Sequence, residues 1–272
     1  MKKERIDVLL VEQGFFDSRE QAKRSIMAGV VLADNERIDK PGTKVNQNVS
    51  LRIKGETLPY VSRGGLKLEK ALNIFPLNLE NKVVIDIGAS TGGFTDCALQ
   101  NGAAYVYSVD VGTNQLAWKL RNHEKVEVME RFNFRYAEPH RFEKQKPEVA
   151  VADVSFISLK LLLEPLSRLL PESGQACLLV KPQFEAGREK VGKKGIVRDR
   201  ETHIEVLQDI VDFSNQLGFC ANALSYSPVT GGDGNIEFLL YLVWTPENQL
   251  HNLSYNEISE IVAKAHTHFV VG

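Results

Sequence analysis

The stretch KVVIDIGASTGGFTD, residues 82–96, constrains the fold of this chain more than any other. Its run VVIDI lacks the in-out alternation of a strand with one wet face, so it needs cover on both sides, as a strand of a helix-covered parallel sheet has. Glycines 88, 92 and 93 then turn the chain directly into the helical run TDCALQNG, which Gly102 stops. The same succession returns down the chain. AYVYSVDVG, VEVMER, PEVAVADVSF and QACLLVK read as four further strands. LKLLLEPLSRLL and THIEVLQDIVDFSNQLG read as helices. CANALSYSPV and IEFLLYLVW, separated by the turn TGGDGN, read as a closing antiparallel hairpin. Alternation of this kind predicts an α/β, doubly wound, Rossmann-like sheet with an antiparallel last strand at one edge. The tail from residue 251 reads as one more helix with no evident role.

The first 60 residues follow a different rhythm. RIDVLLVEQG carries apolar residues at helical spacing, with Gly14 placed to end the helix. In DSREQAKRSIMAG, Ser18 with Gln21 makes a capping box and Gly29 a stop. Arg19, Lys23 and Arg24 share one side of that helix, and Ala22 and Ile26 the other. Short β-branched runs follow, joined at an Asp34-Asn35 turn, so the segment predicts a small α+β module of two helices and one twisted sheet. Residues 4–55 resemble the αL-type RNA-binding domain first recognised in a ribosomal small-subunit protein and also found in pseudouridine synthases. The resemblance rests on Arg5, SREQAKRSIMAGVV and the polar turn after it. It implies that Arg5, Arg19, Lys23, Arg24 and Lys40 bind folded RNA through phosphates, where charge alone reads more readily as a solvated helix face.

Composition narrows the setting. The formal charge of −2 gives no global field for a nucleic acid, and residues 1–60 hold 11 Lys and Arg against 9 Asp and Glu, so any RNA surface is a local patch. Charges interrupt the N-terminus at once, which argues against a signal peptide, and no apolar run is long enough to span a bilayer. Cys97, Cys177 and Cys220 show neither metal-ligand nor redox spacing. A cytoplasmic protein with buried free thiols, no metal and no membrane partner is the expectation.

The turn in DIGASTGGFTD stands where a nucleotide-binding turn belongs, but its glycine spacing departs from the dinucleotide fingerprint and no P-loop Lys-Ser/Thr follows. Asp110, at the end of the next strand, stands where a carboxylate accepts ribose hydroxyls. Asp86 at the end of the first strand repels a pyrophosphate and suits a cationic cofactor, which favours S-adenosylmethionine over a nicotinamide. Four charged residues then fall at the carboxyl edge of the predicted sheet. Asp153 and Lys181 end strands, Glu237 begins the antiparallel one, and Lys67 opens the helix leading into the domain. Two lysines and two carboxylates in a partly dry cleft tune one another's pKa, and their placement decides which lysine serves as a base.

Lys67, Asp153, Lys181 and Glu237 resemble the Lys-Asp-Lys-Glu tetrad of the FtsJ-type ribose 2′-O-methyltransferases. The words SRGGLKLEKAL, DIGASTGGFTDC, ADVSFISL, VKPQFE and GNIEF together resemble the TlyA family, over nearly the whole chain to about residue 245. That resemblance implies an αL-type RNA-binding domain over 1–58, a linker over 59–65 and a class I, FtsJ-like methyltransferase domain over 66–272. It implies transfer of a methyl group from S-adenosylmethionine to a cytidine ribose of ribosomal RNA, on free RNA or on ribosomal subunits. Lys181 would be the base, with Lys67, Asp153 and Glu237 orienting the hydroxyl. The cofactor would be held by Asp86, Gly88, Ala89, Ser90, Thr91, Gly92, Gly93, Phe94, Thr95, Asp110, Val111, Asn133 and Asp153. Arg63, in the connector PYVSRGG, stands by position where RNA docking and cofactor binding meet. The loop GREKVGKKGIVRD brings further cations close after Lys181, either to RNA or to solvent. Two other readings compete. One is a membrane-active haemolysin, a label relatives have carried, which the lack of a spanning or long cationic amphipathic segment disfavours. The other is a non-catalytic RNA-binding assembly factor, which an intact tetrad and cofactor turn disfavour.

Overall fold

A computed structural model describes every residue except 1–2, 17, 35, 55–57, 193, 232–233, 248–252 and 271–272, and the side chains of 188 and 270 are likewise not described. Asn35, Gly55 and the centre of the TGGDGN turn therefore lie outside the described residues. The chain divides into two units, Met1–Leu58 and Pro59–Gly272.

In the first unit, helices α1 (Ile6–Glu12) and α2 (Arg19–Met27) pack through Ile6, Leu10, Ala22 and Ile26, all fully buried. Ser18 caps α2 by accepting the Gln21 N–H at 3.4 Å, and Gly14 and Gly29 adopt positive φ where the helices end. The single sheet expected here is two. Strand β1 (Lys3–Arg5), at the start of what read as helix, pairs antiparallel with β4 (Lys44–Asn46). Strands β2 (Val31–Ala33), β3 (Glu36–Ile38) and β5 (Leu51–Ile53) form a second antiparallel ladder in the order β3-β2-β5.

The second unit opens with α3 (Gly64–Ile74). The Gly64-Gly65 pair, expected outside any helix, forms its first turn. A Cβ on Gly65 would stand 2.3 Å from the Tyr60 ring, so this glycine permits close packing and does not break the helix. Residues ahead of it are pinned within the unit. Val61 N–H donates to Asp96 Oδ2 at 2.8 Å, Gln100 Nε2 donates to the Pro59 carbonyl at 3.0 Å, and the Tyr60 hydroxyl donates to Glu69 at 2.8 Å.

Seven strands then form one sheet: β6 (Val83–Ile87), β7 (Tyr105–Val109), β8 (Val126–Met129), β9 (Val149–Ala152), β10 (Gln175–Val180), β11 (Phe219–Tyr226) and β12 (Phe238–Trp244). Their order is β11-β12-β10-β9-β6-β7-β8, with β10 through β8 parallel and β12 antiparallel to both its neighbours. The last strand thus inserts inside β11, which takes the edge. Helices α3 and α4 (Gly93–Gln100) cover one face, where Leu68, Ala71, Cys97 and Val84 pack together. Helices α6 (Lys160–Leu169), α8 (Arg200–Gln216) and α9 (Tyr255–Val270) cover the other, where Leu162, Leu207, Ile258 and Ile85 meet. Val84 and Ile85 facing opposite cores is what the unbroken apolar run requires. Two one-turn helices escaped the sequence reading, α5 (Trp118–Arg121) and α7 (Pro182–Glu185). Among the described residues no helix is long and apolar enough to cross a membrane.

Candidate active site

The registers of the sheet bring the charged residues together. Val180 pairs with Phe238, so Lys181 and Glu237 follow side by side at the end of the β10–β12 ladder. Ala152 pairs with Ile87, which sets Asp153 beside Gly88. Pro182 does more than end β10: it occupies the first position of α7, where its missing N–H costs nothing, with Lys181 as the residue before it.

The four side chains form one chain of contacts. Lys67 Nζ lies 2.8 Å from Glu237 Oε2 and 3.1 Å from Asp153 Oδ2. Lys181 Nζ lies 2.6 Å from Asp153 Oδ1 and donates to Ser155 Oγ at 3.0 Å. All four are largely removed from water; the Glu237 side chain is 3% exposed. Burial alone would push the Lys67 ammonium down, but Asp153 and Glu237 overcome it and raise its pKa. Burial alone would push the Asp153 carboxyl up, and the two lysines bring it below its ordinary range.

These groups stand on the wall of a 510 Å³ cleft whose other walls come from Arg63, Gly64, Gly88, Ala89, Ser90, Thr91, Gly93 and Phe94, with Val229, Thr230 and Gly231 closing it. Gly88 N–H and Ala89 N–H both donate to the Val109 carbonyl, which folds the turn over the end of β6. Gly88 has φ +83°, and a Cβ there would stand 2.6 Å from the Asp153 carbonyl oxygen. A Cβ on Gly93 would stand 2.4 Å from Ser62 Oγ and 2.8 Å from the Gly65 nitrogen, so this glycine lets the first turns of α3 and α4 meet. Bare backbone along one wall and a volume of this size suit a flat, nucleoside-bearing cofactor.

Several residues expected at the cofactor do not line this cleft. Asp86 and Thr95 are fully buried beneath the turn and do not line the cleft. Thr95 Oγ1 donates to Asp86 Oδ2 at 2.6 Å, Asp86 Oδ1 has no hydrogen-bond partner, and burial pushes this carboxyl up to about 7. A carboxyl so placed braces the start of α4, and the inference from its charge to a cationic cofactor loses its contact. Gly92, Asp110, Val111 and Asn133 also lie off the cleft lining. Asp110 accepts the Ser90 N–H through Oδ2 and the Gly112 N–H through Oδ1, both at 2.7 Å, and so holds the turn in shape. Asn133 is exposed and caps a 3₁₀ turn by accepting the Arg135 N–H.

In the first unit, Arg5 and Arg19 meet at a residue the sequence reading passed over. Asp7 is fully buried and accepts Arg5 Nε at 2.9 Å and Arg19 NH2 at 2.9 Å, and the Arg5 guanidinium first, with Arg19, brings its pKa down to about 2 against burial. Lys23 pairs with Glu20, and Arg24 and Lys40 are exposed. The second unit holds another such residue. Phe156 is 90% exposed, has φ +64°, and lies with its ring 4.9 Å from that of Phe184, just past Asp153 and Ser155. Its signal in the sequence was a bulky apolar residue three positions after a strand-end acid.

A seven-stranded Rossmann-like sheet with a glycine turn and a lysine–carboxylate cluster at its carboxyl edge is the architecture of a class I methyltransferase. The profile of the FtsJ-like methyltransferases matches residues 60–244, and that of the S4 domain matches residues 4–50. A Bacillus subtilis protein, YqxC, named as a candidate rRNA methyltransferase, is 59% identical over 97% of this chain and 95% of its own. The 16S/23S rRNA (cytidine-2′-O)-methyltransferase TlyA of Mycobacterium tuberculosis is 38% identical over 89% of this chain and 90% of its own. A solved structure of a candidate hemolysin from Streptococcus thermophilus superposes with a TM-score of 0.80 at 55% identity, covering 100% of this chain and 98% of that one. The chain belongs to the FtsJ-like methyltransferases, in the TlyA family.

Proposed function

We propose that this methyltransferase uses S-adenosylmethionine to methylate a ribose 2′-hydroxyl of ribosomal RNA, with cytidine as the modified nucleoside. The observation that supports it most is the clamp of Lys67 and Lys181 on Asp153 at the wall of the glycine-lined cleft. The cytidine and the ribosomal RNA rest on kinship with TlyA proteins. When bound, S-adenosylmethionine supplies an electrophilic methyl group.

The chain's own residues divide the remaining work. Gly88, Ala89, Ser90, Thr91, Gly93 and Phe94 form the cofactor wall, and Asp110 and Asp86 keep that wall in shape. Lys181, with one carboxylate oxygen and one hydroxyl for partners, acts as the neutral amine and takes the proton of the attacking 2′-hydroxyl, which leaves it an ammonium beside Asp153. Lys67, between two carboxylates, stays charged and holds Asp153 and Glu237 in place to orient the ribose. Phe156 offers an open aromatic face beside the tetrad on which a base of the acceptor strand stacks. Arg63 at the cleft mouth, and Arg5, Arg19, Lys23, Arg24 and Lys40 in the first unit, contact phosphates. Buried Asp7 presents Arg5 and Arg19 in fixed orientation for that purpose.

Incubating the protein with methyl-labelled S-adenosylmethionine and purified ribosomal subunits, then digesting the RNA to nucleosides, tests this reading. A labelled nucleoside whose mass gain resides on the ribose supports it. Label on a base, or none on either subunit or on free rRNA while the cofactor binds, overturns it.

A further inference from the structure

A second cavity, of 350 Å³, lies in the same unit and is lined by Ile196, Arg198, Thr230, Ile236, His266 and Phe269 among others. Thr230 lines both this cavity and the reaction cleft, so the two share a wall. The C-terminal helix α9, which the tetrad and the cofactor turn leave without a role, supplies His266 and Phe269. The loop of cations after Lys181 supplies Ile196 and Arg198.

The cavity is preformed. Asn235, 2% exposed, accepts the Val197 N–H at 3.0 Å and donates to the Gly195 carbonyl at 2.9 Å, which locks the two lining loops together. His266 Nε2 is engaged with His203 Nδ1 at 2.8 Å, which fixes that ring in the cavity wall. Phe269 packs on Tyr226 with ring centroids 6.0 Å apart, and Lys70, one turn beyond Lys67 on α3, donates to the Tyr226 carbonyl at 2.6 Å and covers its ring. The cavity is therefore braced by the helix that carries Lys67. Its walls are an aromatic ring, two isoleucines and a valine, its polar groups are a hydroxyl, an imidazole and a guanidinium, and among the described residues no carboxylate lines it. Apolar walls for a flat ring, with polar groups at the edge and a cation at the rim, suit a nucleobase on a phosphate backbone.

We propose that this cavity holds the base of a nucleotide neighbouring the methylated one, with Phe269 as its stacking face and Arg198 at its edge or phosphate. This rests on the proposed RNA acceptor. It gives α9 a part in choosing the substrate, separate from cofactor binding and from the chemistry.

The test uses the full chain and an RNA fragment that the wild type methylates, with each nucleotide next to the modified one made abasic in turn. Arg198→Ala and Phe269→Ala are compared with wild type for S-adenosylmethionine affinity and for KM and kcat of transfer. The expected result is unchanged cofactor affinity, a KM raised about 10-fold in each variant, and one abasic position at which wild type shows the same rise and the variants lose nothing more. Arg198 is exposed, so its variant keeps the test valid if Phe269→Ala unfolds. Variants that match wild type, that lose the same factor on every abasic RNA, or that weaken cofactor binding instead overturn the subsite and leave the methylation reading standing. Wild type that binds the cofactor and labels no ribosomal RNA overturns both.

Discussion

Lys67 and Lys181 grip opposite oxygens of one carboxylate: Asp153 Oδ2 is 3.1 Å from Lys67 Nζ and Oδ1 is 2.6 Å from Lys181 Nζ. Their inequality comes from Glu237, which stands 2.8 Å from Lys67 alone. Asp153→Asn removes the shared partner and leaves two lysines crowded in a half-dry cleft. We expect methyl transfer to vanish and stability to fall by up to about 3 kcal/mol, the scale for breaking a buried ion pair. Thermal melting beside a transfer assay checks both. Because the lysines lower the Asp153 pKa, its contribution is complete above the ordinary value of 3.8 and is lost as pH falls through the folded value.

Asp86 carries the opposite sign. Burial raises its carboxyl from 3.8 to about 7, so the folded protein holds a proton that the unfolded chain releases between those values. Stability from this group is complete below about pH 4, declines as pH rises and is gone above 7, a swing of at most about 4 kcal/mol. Asp86→Asn keeps an acceptor for the Thr95 hydroxyl and cannot ionise. Its melting temperature relative to wild type rises from pH 5 to pH 8. A difference that stays constant across that range contradicts the assignment.

Phe156 holds φ +64° with a large side chain exposed to water, a conformation that costs an L residue roughly 1–2 kcal/mol. Phe156→Gly relieves the strain and removes the stacking face. The variant melts at or above the wild-type temperature while kcat/KM for RNA falls about 10-fold and cofactor affinity holds. A loss of stability with unchanged transfer argues against the stacking role.

Gly88→Ala places a methyl group 2.6 Å from the Asp153 carbonyl oxygen, in a left-handed backbone. The contact is to backbone, which cannot swing aside. Cofactor affinity measured by calorimetry drops at least about 10-fold, since one displacement disturbs both the glycine turn and the tetrad. Wild-type affinity in this variant contradicts the placement of the cofactor wall.

The sheet and the meeting of Lys67, Asp153, Lys181 and Glu237 were legible because each rests on a local signal. An unbroken apolar run announces a strand buried on both faces, and the charge that ends it lies at the carboxyl edge. Glu237 joined the others because the last strand runs backwards, which the TGGDGN turn between two apolar runs made readable. What escaped depends on distance in space. Asp7 reads as one acid in an amphipathic helix, and only the fold brings Arg5 and Arg19 to it. Asp86 looked like a cofactor contact from its place at a strand end, yet its side chain points beneath the turn to Thr95. The Gly64-Gly65 pair read as a helix breaker because sequence cannot show the Tyr60 ring packed on Gly65. The second cavity joins Ile196 and Arg198, Thr230 and Ile236, and His266 and Phe269, from three segments that no spacing rule connects.

The central claim is that Lys181 takes the proton while Lys67 stays charged. Single-turnover transfer from saturating labelled S-adenosylmethionine to ribosomal subunits, with wild type beside Lys181→Ala, tests it most directly. The account predicts a rate reduced by about 10²–10⁴-fold in the variant, with cofactor affinity unchanged and the wild-type label on a ribose. A variant that binds the cofactor and transfers at the wild-type rate contradicts it.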